Sequence, residues 1–430
     1  MQGPSPATAA AAATLLALSL LAPPVAAANS KLWGRGGSLW TPAGRLMDFS
    51  FAGYHQGNDP LPDPPVTKSV LDFKRRGMSD TAMLQAALSW ANKQRPATGY
   101  TVLLIPKGTY TLTEKLIIKS SRVVLRGEGP GKTVLNIPKS LTDVYGPDPY
   151  SESGGYVNWG GFLTIKGRGS KGRVAAVATG AASRGDVVIT VNSARGLKKG
   201  QYYDLWFTDV GGRFNSIQLG ANMQAPEKYI GKALSRFTVK VLKIRGNKVT
   251  LERPLPFPIA AGVNKVALHQ PAPTVTESGV EGMTLAMKWE LYAGHHLGAY
   301  PWGGQAGTPT LAHSPLSEAV PGRLQERGWN GVELMSVRDC WVRDIEIINP
   351  DSGVVVNWMA SASTVTGIRI SYTKTRANSI PNRFNEDART DGHWGMMYGG
   401  YCYDMLFTDF HFVGKFQHDV GTAMAGQFGV

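Results

Sequence analysis

Val342-Arg343-Asp344-Ile345-Glu346-Ile347 is a six-residue phrase that this chain uses repeatedly. Val280-Glu281-Gly282-Met283-Thr284-Leu285 precedes it. Val365-Thr366-Gly367-Ile368-Arg369-Ile370 follows and, more loosely, so does Phe407-Thr408-Asp409-Phe410-His411-Phe412. Each copy alternates apolar residues with others, as a strand with one buried face does. Each carries a small or acidic residue in third place. The second and third copies start 23 residues apart, and the other gaps of 62 and 42 leave room for loops. A strand that returns in this way, with no helical pattern between copies, predicts a β-solenoid. Such a fold aligns residues far apart in sequence along one groove, and grooves suit polymers.

Upstream of the phrase, Ser79-Asp80 precedes a helical stripe of Met83, Leu84, Ala87, Leu88 and Ala91, with Ser79 or Asp80 as N-cap. Tyr100 to Ile105 reads as a buried strand stopped by Pro106, and short strands continue from Leu112 to Leu125. Arg126 to Thr133 is a turn-rich break. It fits neither a phosphate loop nor a dinucleotide fingerprint, because Arg126 and Lys132 stand where each motif requires glycine. Residues 171–257 differ in kind. Asp186–Val191 reads as a strand, and Phe237–Ile244, Arg245-Gly246-Asn247 and Lys248–Leu251 read as a hairpin. This stretch is expected to be an inserted antiparallel β module.

The chain has 430 residues, of which 43% are hydrophobic, which argues against disorder; its 51 glycines and 27 prolines fit many tight turns. The formal charge of +14 favours a polyanionic partner. No helix-turn-helix, RNA-binding or zinc-finger pattern accompanies it, so an acidic polysaccharide fits better than nucleic acid. The uncharged Ala/Leu run from Ala9 to Ala22, ended by Pro23-Pro24 and followed by Val25-Ala26-Ala27-Ala28, reads as a signal peptide over 1–28. Secretion is therefore expected, with no membrane span. Cys340 and Cys402 could pair or stay as buried thiols; no zinc spacing is present. The organisation expected is a wrapping segment, cap helix and first coils over 29–170, the module over 171–257, and further coils over 258–430. The sequence stops just after a copy of the phrase, without an amphipathic cap, as a truncated product would.

The order Asp80-Thr81 with Gln85-Ala86-Ala87-Leu88, then Ile105-Pro106-Lys107-Gly108-Thr109-Tyr110, then Val124-Leu125-Arg126-Gly127-Glu128-Gly129 resembles the opening of pectin-lyase-like proteins. Residues 328–334 and 339–344 are similar to coils of secreted pectate lyase superfamily members. The resemblance covers roughly residues 70–170 and 275–420. It implies a right-handed parallel β-helix whose first helix caps the solenoid. The family opening carries two adjacent acids where this chain has Ser79-Asp80, a difference that concerns capping. Members include pectate lyases, rhamnogalacturonan-active enzymes and polygalacturonases, so the resemblance implies a fold and a polysaccharide substrate but no single reaction.

The richest chemical cluster is Arg383, Glu386, Asp387, Arg389, Asp391, His393 and Trp394, between two phrase strands and hence on a coil edge. Elimination on a uronate needs a cation against the carboxylate and a base for the C5 proton. Arg389 or Arg383, with a calcium ion held by acids, could serve the first need and His393 the second. Hydrolysis needs two carboxyl groups, for which Asp387 and Asp391 are candidates. The basic charge and the Arg/His loop favour a lyase over a glycoside hydrolase, with a non-catalytic wall-binding protein as the rival from another class. His418, one coil later, is expected near the cluster. His296, and Trp302, Trp329, Trp358 and Trp394, could contact sugar. Asp339, Asp344 and Glu346 are expected to point outward from strands. A monomer is expected, with no cofactor unless calcium.

Overall fold

The copies of the phrase stack in register. In the computed structural model, Val280 pairs with Val342, Val342 with Val365 and Val365 with Phe407, every pair parallel. Met283, Ile345, Ile368 and Phe410 form the next column, and Leu285, Ile347, Ile370 and Phe412 the one after. The third-place residues are left out of the pairing. Gly282, Asp344, Gly367 and Asp409 all have positive φ, of 72, 55, 65 and 49°. A left-handed residue bends the strand, and glycine and aspartate adopt that conformation most readily among small residues. The third-place rule in the sequence is this bend.

The structure describes residues 39–44, 48–146, 160–169, 172–214, 230–272, 274–290, 327–375 and 390–422. The signal segment expected over 1–28 lies outside them. The chain divides into Met1–Ser50 and Phe51–Val430. In the first unit the described residues form turns, with the Gly44 amide donating to the Thr41 carbonyl at 3.0 Å.

The second unit is a right-handed parallel β-helix with three faces. Face A runs Lys68–Ser69, Thr101–Ile105, Val123–Gly127, Gly279–Met287, Trp341–Ile348, Thr364–Ser371 and Leu406–Phe412. Face B runs Leu116–Ile118, Leu163–Lys166, Asn330–Met335, Ser352–Asn357, Gly392–Tyr398 and Phe416–Thr422. Face C is narrow: Val275–Thr276 pairs with Val337–Arg338, and parallel bridges continue from Arg338 to Ser361 and from Ser361 to Tyr403. A rung thus passes from B through C to A. Its winding has the hand that parallel crossovers take.

Apolar residues from faces A and B fill the interior. Val280, Val342, Ile345, Val332, Leu334, Val354 and Met396 belong to one continuous buried cluster. Trp329 and both cysteines are in it, and the cysteines are free thiols. Helix α1, Asp80–Gln94, closes the first rung with Met83, Leu84, Ala87, Leu88 and Ala91 turned inward. Its N-cap is Ser79, whose hydroxyl accepts from the Ala82 amide. Asp80 accepts from the Thr111 amide at 3.0 Å and so ties the cap to the first coil.

The antiparallel sheet leaves face B after Lys166. It orders Val174–Val177, Asn264–His269, Tyr202–Asp209, Ala233–Arg245, Lys248–Leu251 and Val188–Thr190. The hairpin forms with Arg245 opposite Lys248. The sheet reaches His269, past the expected boundary at 257, because Asn264–His269 pairs with Tyr202–Asp209 along its whole length. Phe207, Phe214, Phe237 and Phe257 give it a separate aromatic core.

Residues 54–66 form a strap on the outer side of face A. Glu281, 2% exposed, holds the Trp341 indole at 2.7 Å and Arg343 at 2.8 Å, and also pairs with Arg126. The two arginines donate onward to the strap carbonyls of Pro62 and Pro64, each at 3.0 Å. A buried carboxylate with three donors is fully satisfied and anchors the strap.

Candidate functional site at the corner of faces C and A

Three places before each phrase stand Glu277, Asp339, Ala362 and Asp404. These residues turn the chain from face C to face A. All have positive φ, of 57, 52, 43 and 53°, and Arg122 on an earlier rung has 64°. The corner is a column in register: the Glu277 amide donates to the Asp339 carbonyl at 2.9 Å, and the Asp339 amide to Ala362 at 3.1 Å. Successive rungs lie roughly 4.8 Å apart. Left-handed aspartate is common enough. Left-handed glutamate is uncommon, and strain of this kind gathers at functional sites.

The strap brings His55 to the same corner. His55 and Gln56 also have positive φ, of 45 and 62°, after Gly53 at 90°. The turn is pinned by the Gly53 amide donating to the Asp404 carbonyl at 2.9 Å and the Tyr54 amide to the Thr364 hydroxyl at 2.9 Å. His55 then lies between two carboxylates, Nε2 against Glu277 at 2.7 Å and Nδ1 against Asp59 at 2.6 Å. The hydroxyls of Tyr54 and Tyr100 donate to the other Glu277 oxygen at 2.6 and 2.8 Å.

The result is a cavity of about 580 Å³ with Glu277, Asp339 and Asp404 along one wall. Arg122, Arg253 and Arg338 line it as well, and the module closes it with Tyr202, Thr238 and Glu252. Arg338 donates to Asp339 at 3.1 Å and lies over the Tyr202 ring at 3.7 Å; Arg253 pairs with Asp404. One ligand atom each from His55, Glu277 and Asp339 lies within 4.8 Å of the others.

The two nearest carboxyl groups titrate in opposite directions. Burial works to raise Glu277, but hydrogen bonds from Tyr54, His55 and Tyr100 outweigh it and hold the group below its ordinary value. Burial raises Asp339 and outweighs the charge and hydrogen bond of Arg338. His55 is raised: burial opposes its charge, but Glu277 and Asp59 more than offset this. Burial and the bond to Glu277 keep the Tyr54 phenol strongly protonated, and burial raises Tyr100 too. The corner therefore holds a carboxyl shifted up, a carboxyl shifted down and an imidazole shifted up. His55, Glu277 and Asp339 are also the only group of three such residues, among those described, that converge as metal donors. A cation there would have to displace the Tyr54, Tyr100 and His55 hydrogen bonds, and one imidazole with two carboxylates falls short of the six to eight oxygens calcium takes.

Several residues singled out from sequence come together elsewhere. On face B, His393, Trp394 and His418 form one aromatic cluster: Trp394 and His418 have ring centroids 4.2 Å apart, and His393 and His418 5.5 Å. His393 and Trp394 are only 2% and 6% exposed. Asp391 is also buried. It accepts from the Thr375 hydroxyl and the Lys415 amide, both at 2.8 Å, and so fixes the bend before the last strand. Trp329 is wholly buried in the solenoid core, which corrects its reading as a sugar-stacking residue. Asp339 sits at the corner and does not point outward from a strand. Arg383, Glu386, Asp387, Arg389, His296 and Trp302 lie outside the described residues.

A larger cavity, about 1120 Å³, lies beside α1 and is lined by Lys93, Arg95, Lys115, Lys119, Lys166 and Arg168, with no carboxylate among the described residues. It gathers positive charge into one place but has no acid–base pair. No helix among the described residues is long and apolar enough to cross a membrane.

No protein-family model and no curated protein sequence matches the chain. Among solved structures it is similar to the tailspike protein gp49 from Pseudomonas phage LKA1, at 14% identity over 77% of this chain and 39% of that one, with a TM-score of 0.44. It is similar to an exopolygalacturonase from Thermotoga maritima at 14% identity, over 85% of this chain and 56% of that one, with a TM-score of 0.32. The A-module of Azotobacter vinelandii mannuronan C-5 epimerase AlgE4 is similar at 11% identity, over 80% and 50%, with a TM-score of 0.31. The chain spans 39 to 51% of the length of the first three structures it matches. At this level the likeness adds nothing to the strand pairing, on which the fold stands.

Proposed function

We propose that the corner of faces C and A is a catalytic site that hydrolyses a glycosidic bond in a polysaccharide. One observation carries the reading: two carboxyl groups share one cavity, each offers an oxygen within 4.8 Å of the other, and their pKa values shift in opposite directions. Environments that push two acids apart assign an acid and its anionic partner. Asp339 donates its proton to the leaving oxygen as the glycosidic bond breaks, and Glu277 attacks the anomeric carbon to form a glycosyl ester. Asp339 then takes a proton from a water that attacks the same carbon, which breaks the ester, releases Glu277 and restores both groups. The short separation fits a retaining geometry, in which the carboxyls are roughly 5–5.5 Å apart, better than an inverting one.

Elimination, favoured by the sequence, has less support at this corner. Arg122, Arg253 and Arg338 could neutralise a uronate carboxylate. The base is less well supplied, because the pKa values of His55, Tyr54 and Tyr100 are raised and that of Glu277 is lowered, so each is a poorer base than its free counterpart at a given pH.

The test is incubation of the purified chain with polygalacturonan, rhamnogalacturonan and alginate. New reducing ends without unsaturated-uronate absorbance are expected from at least one polymer. Appearance of that absorbance would replace hydrolysis by elimination. Retention on the polymer with neither signal would make the protein a binder and remove the catalytic reading.

A further inference from the structure

Beside the corner cavity lies a second one of about 420 Å³, between the module and the corner where face B turns into face C. The two share Thr238 and Ser361 in their walls and are therefore neighbours. Its centre is Arg236. The guanidinium lies 4.0 Å from the ring centres of both Trp206 and Tyr401, and 5.5 Å from that of Trp358. The rings are themselves fixed: the Trp358 indole donates to the Gly169 carbonyl at 3.1 Å, and the Tyr401 hydroxyl to the Ala233 carbonyl at 3.0 Å. Aromatic faces hold a guanidinium flat but accept none of its in-plane N–H bonds. Arg236 Nε is buried and has no hydrogen-bond partner among the described residues. Burial lowers the Arg236 pKa, the direction expected of a cation short of compensation.

The acid facing it does not complete it. Asp204 is buried, and its two oxygens are taken by the Thr238 hydroxyl at 2.7 Å and the Ala272 amide at 3.4 Å. The cavity therefore holds a planar, oriented fork of donors lacking a bonded acceptor, with the half-buried Trp358 indole beside it as a platform for a sugar ring.

We infer that this cavity is a subsite for a carboxylate-bearing sugar, with Arg236 binding the carboxylate and Trp358 packing on the ring. A planar carboxylate matches the guanidinium fork in a bidentate manner. The subsite neighbours the proposed catalytic corner, but its existence does not depend on that chemistry, and its test reads binding alone.

The full chain carrying Asp339→Asn, to suppress any turnover, is titrated with polygalacturonate oligomers and with the same oligomers after reduction of their carboxyl groups. The acidic oligomer should bind at least about tenfold more tightly, as expected for a charge-assisted bond. Arg236→Gln in the same background should abolish that difference and leave the affinity for the reduced oligomer unchanged. Arg236→Lys should restore only part of it, because it keeps the charge and loses the fork. Equal binding of the acidic and reduced oligomers by the parent chain would overturn the inference, and needs no variant that folds. So would an unchanged preference in Arg236→Gln. A sulfated galactan bound more tightly than polygalacturonate, and lost on Arg236→Gln, would overturn the carboxylate assignment. A preference for the acidic oligomer in an unsubstituted chain that hydrolyses neither oligomer would support the subsite and count against the corner chemistry.

Discussion

The corner of faces C and A and the outer side of face B both bring together residues of catalytic type, but they present them differently. At the corner, left-handed backbone turns Glu277 and Asp339 into a cavity, and a strap adds His55 from more than 200 positions away. On face B, His393 and Trp394 lie in a regular parallel strand and are almost wholly buried. Both places hold histidine, but the corner adds carboxyl groups and arginines, and its side chains line a cavity. The lesson is that in a solenoid the interruptions between strands carry chemistry more readily than the strands do, because a bend frees a side chain from both the core and the sheet surface.

The largest effect expected is on turnover. Glu277→Gln and Asp339→Asn should each lower the rate of bond cleavage by roughly 100- to 10,000-fold, the range for removing a positioned acid or base. Both should leave the circular dichroism spectrum unchanged. His393→Gln should keep turnover within a few-fold and reveal itself as a lower melting temperature. If His393→Gln abolishes cleavage while Glu277→Gln does not, the ranking of the two regions is reversed.

A second contrast concerns the tryptophans. Trp329 is entirely buried and Trp358 lies half-buried at the edge of a cavity. Trp329→Ala should cost about 3–5 kcal/mol of stability, measured by denaturant unfolding. Trp358→Ala should cost much less stability and weaken oligosaccharide binding several-fold. Equal stability losses would mean that Trp358 is a core residue too.

The pH dependence sharpens the comparison because the two acids shift in opposite senses. Glu277 is depressed in the fold, so the stability it gives is present above its unfolded value and is lost as pH falls through its folded value. Asp339 is raised, so its preference for the fold is complete below its unfolded value and is lost as pH rises through its folded value. The proposed mechanism needs Glu277 ionised and Asp339 protonated. The profile of kcat/KM should therefore be a bell whose rising limb belongs to Glu277 and whose falling limb belongs to Asp339. Asp339→Asn should remove the falling limb from whatever activity remains. A falling limb that persists in that variant would assign it to another group.

How much of this could be read in advance follows from the length of each signal. The face A strands were legible, since four phrases alternate over six residues and share a third-place bend. The cap helix was legible from its stripe and N-cap. The hairpin at Arg245-Gly246-Asn247 was legible from its turn chemistry, but the closing strand Asn264–His269 was not separated from the returning solenoid. The corner acids were not found, because Val275–Thr276 and Val337–Arg338 are two-residue strands with no period to detect. Asp339 accordingly seemed part of an outward strand edge. A usable signal did exist in the fixed offset that puts Glu277, Asp339, Ala362 and Asp404 three places before their phrases. The His393 loop was legible only as a concentration of residue types. Burial depends on what packs over a face, and composition does not carry that.

The smallest effect expected is also the most specific to the corner. Tyr100→Phe removes one of the three hydrogen bonds that hold Glu277 ionised and leaves Tyr54 at 2.6 Å and His55 at 2.7 Å in place. Without the Tyr100 hydroxyl the Glu277 anion is less stabilised and its pKa rises toward the ordinary value. The rising limb of the pH profile should move to higher pH, while the falling limb stays with Asp339 and the maximal rate changes only a few-fold. A merely structural role for the hydroxyl would lower the melting temperature and leave both limbs where they were, so the displacement of one limb alone is the outcome that ties Tyr100 to the ionisation of Glu277.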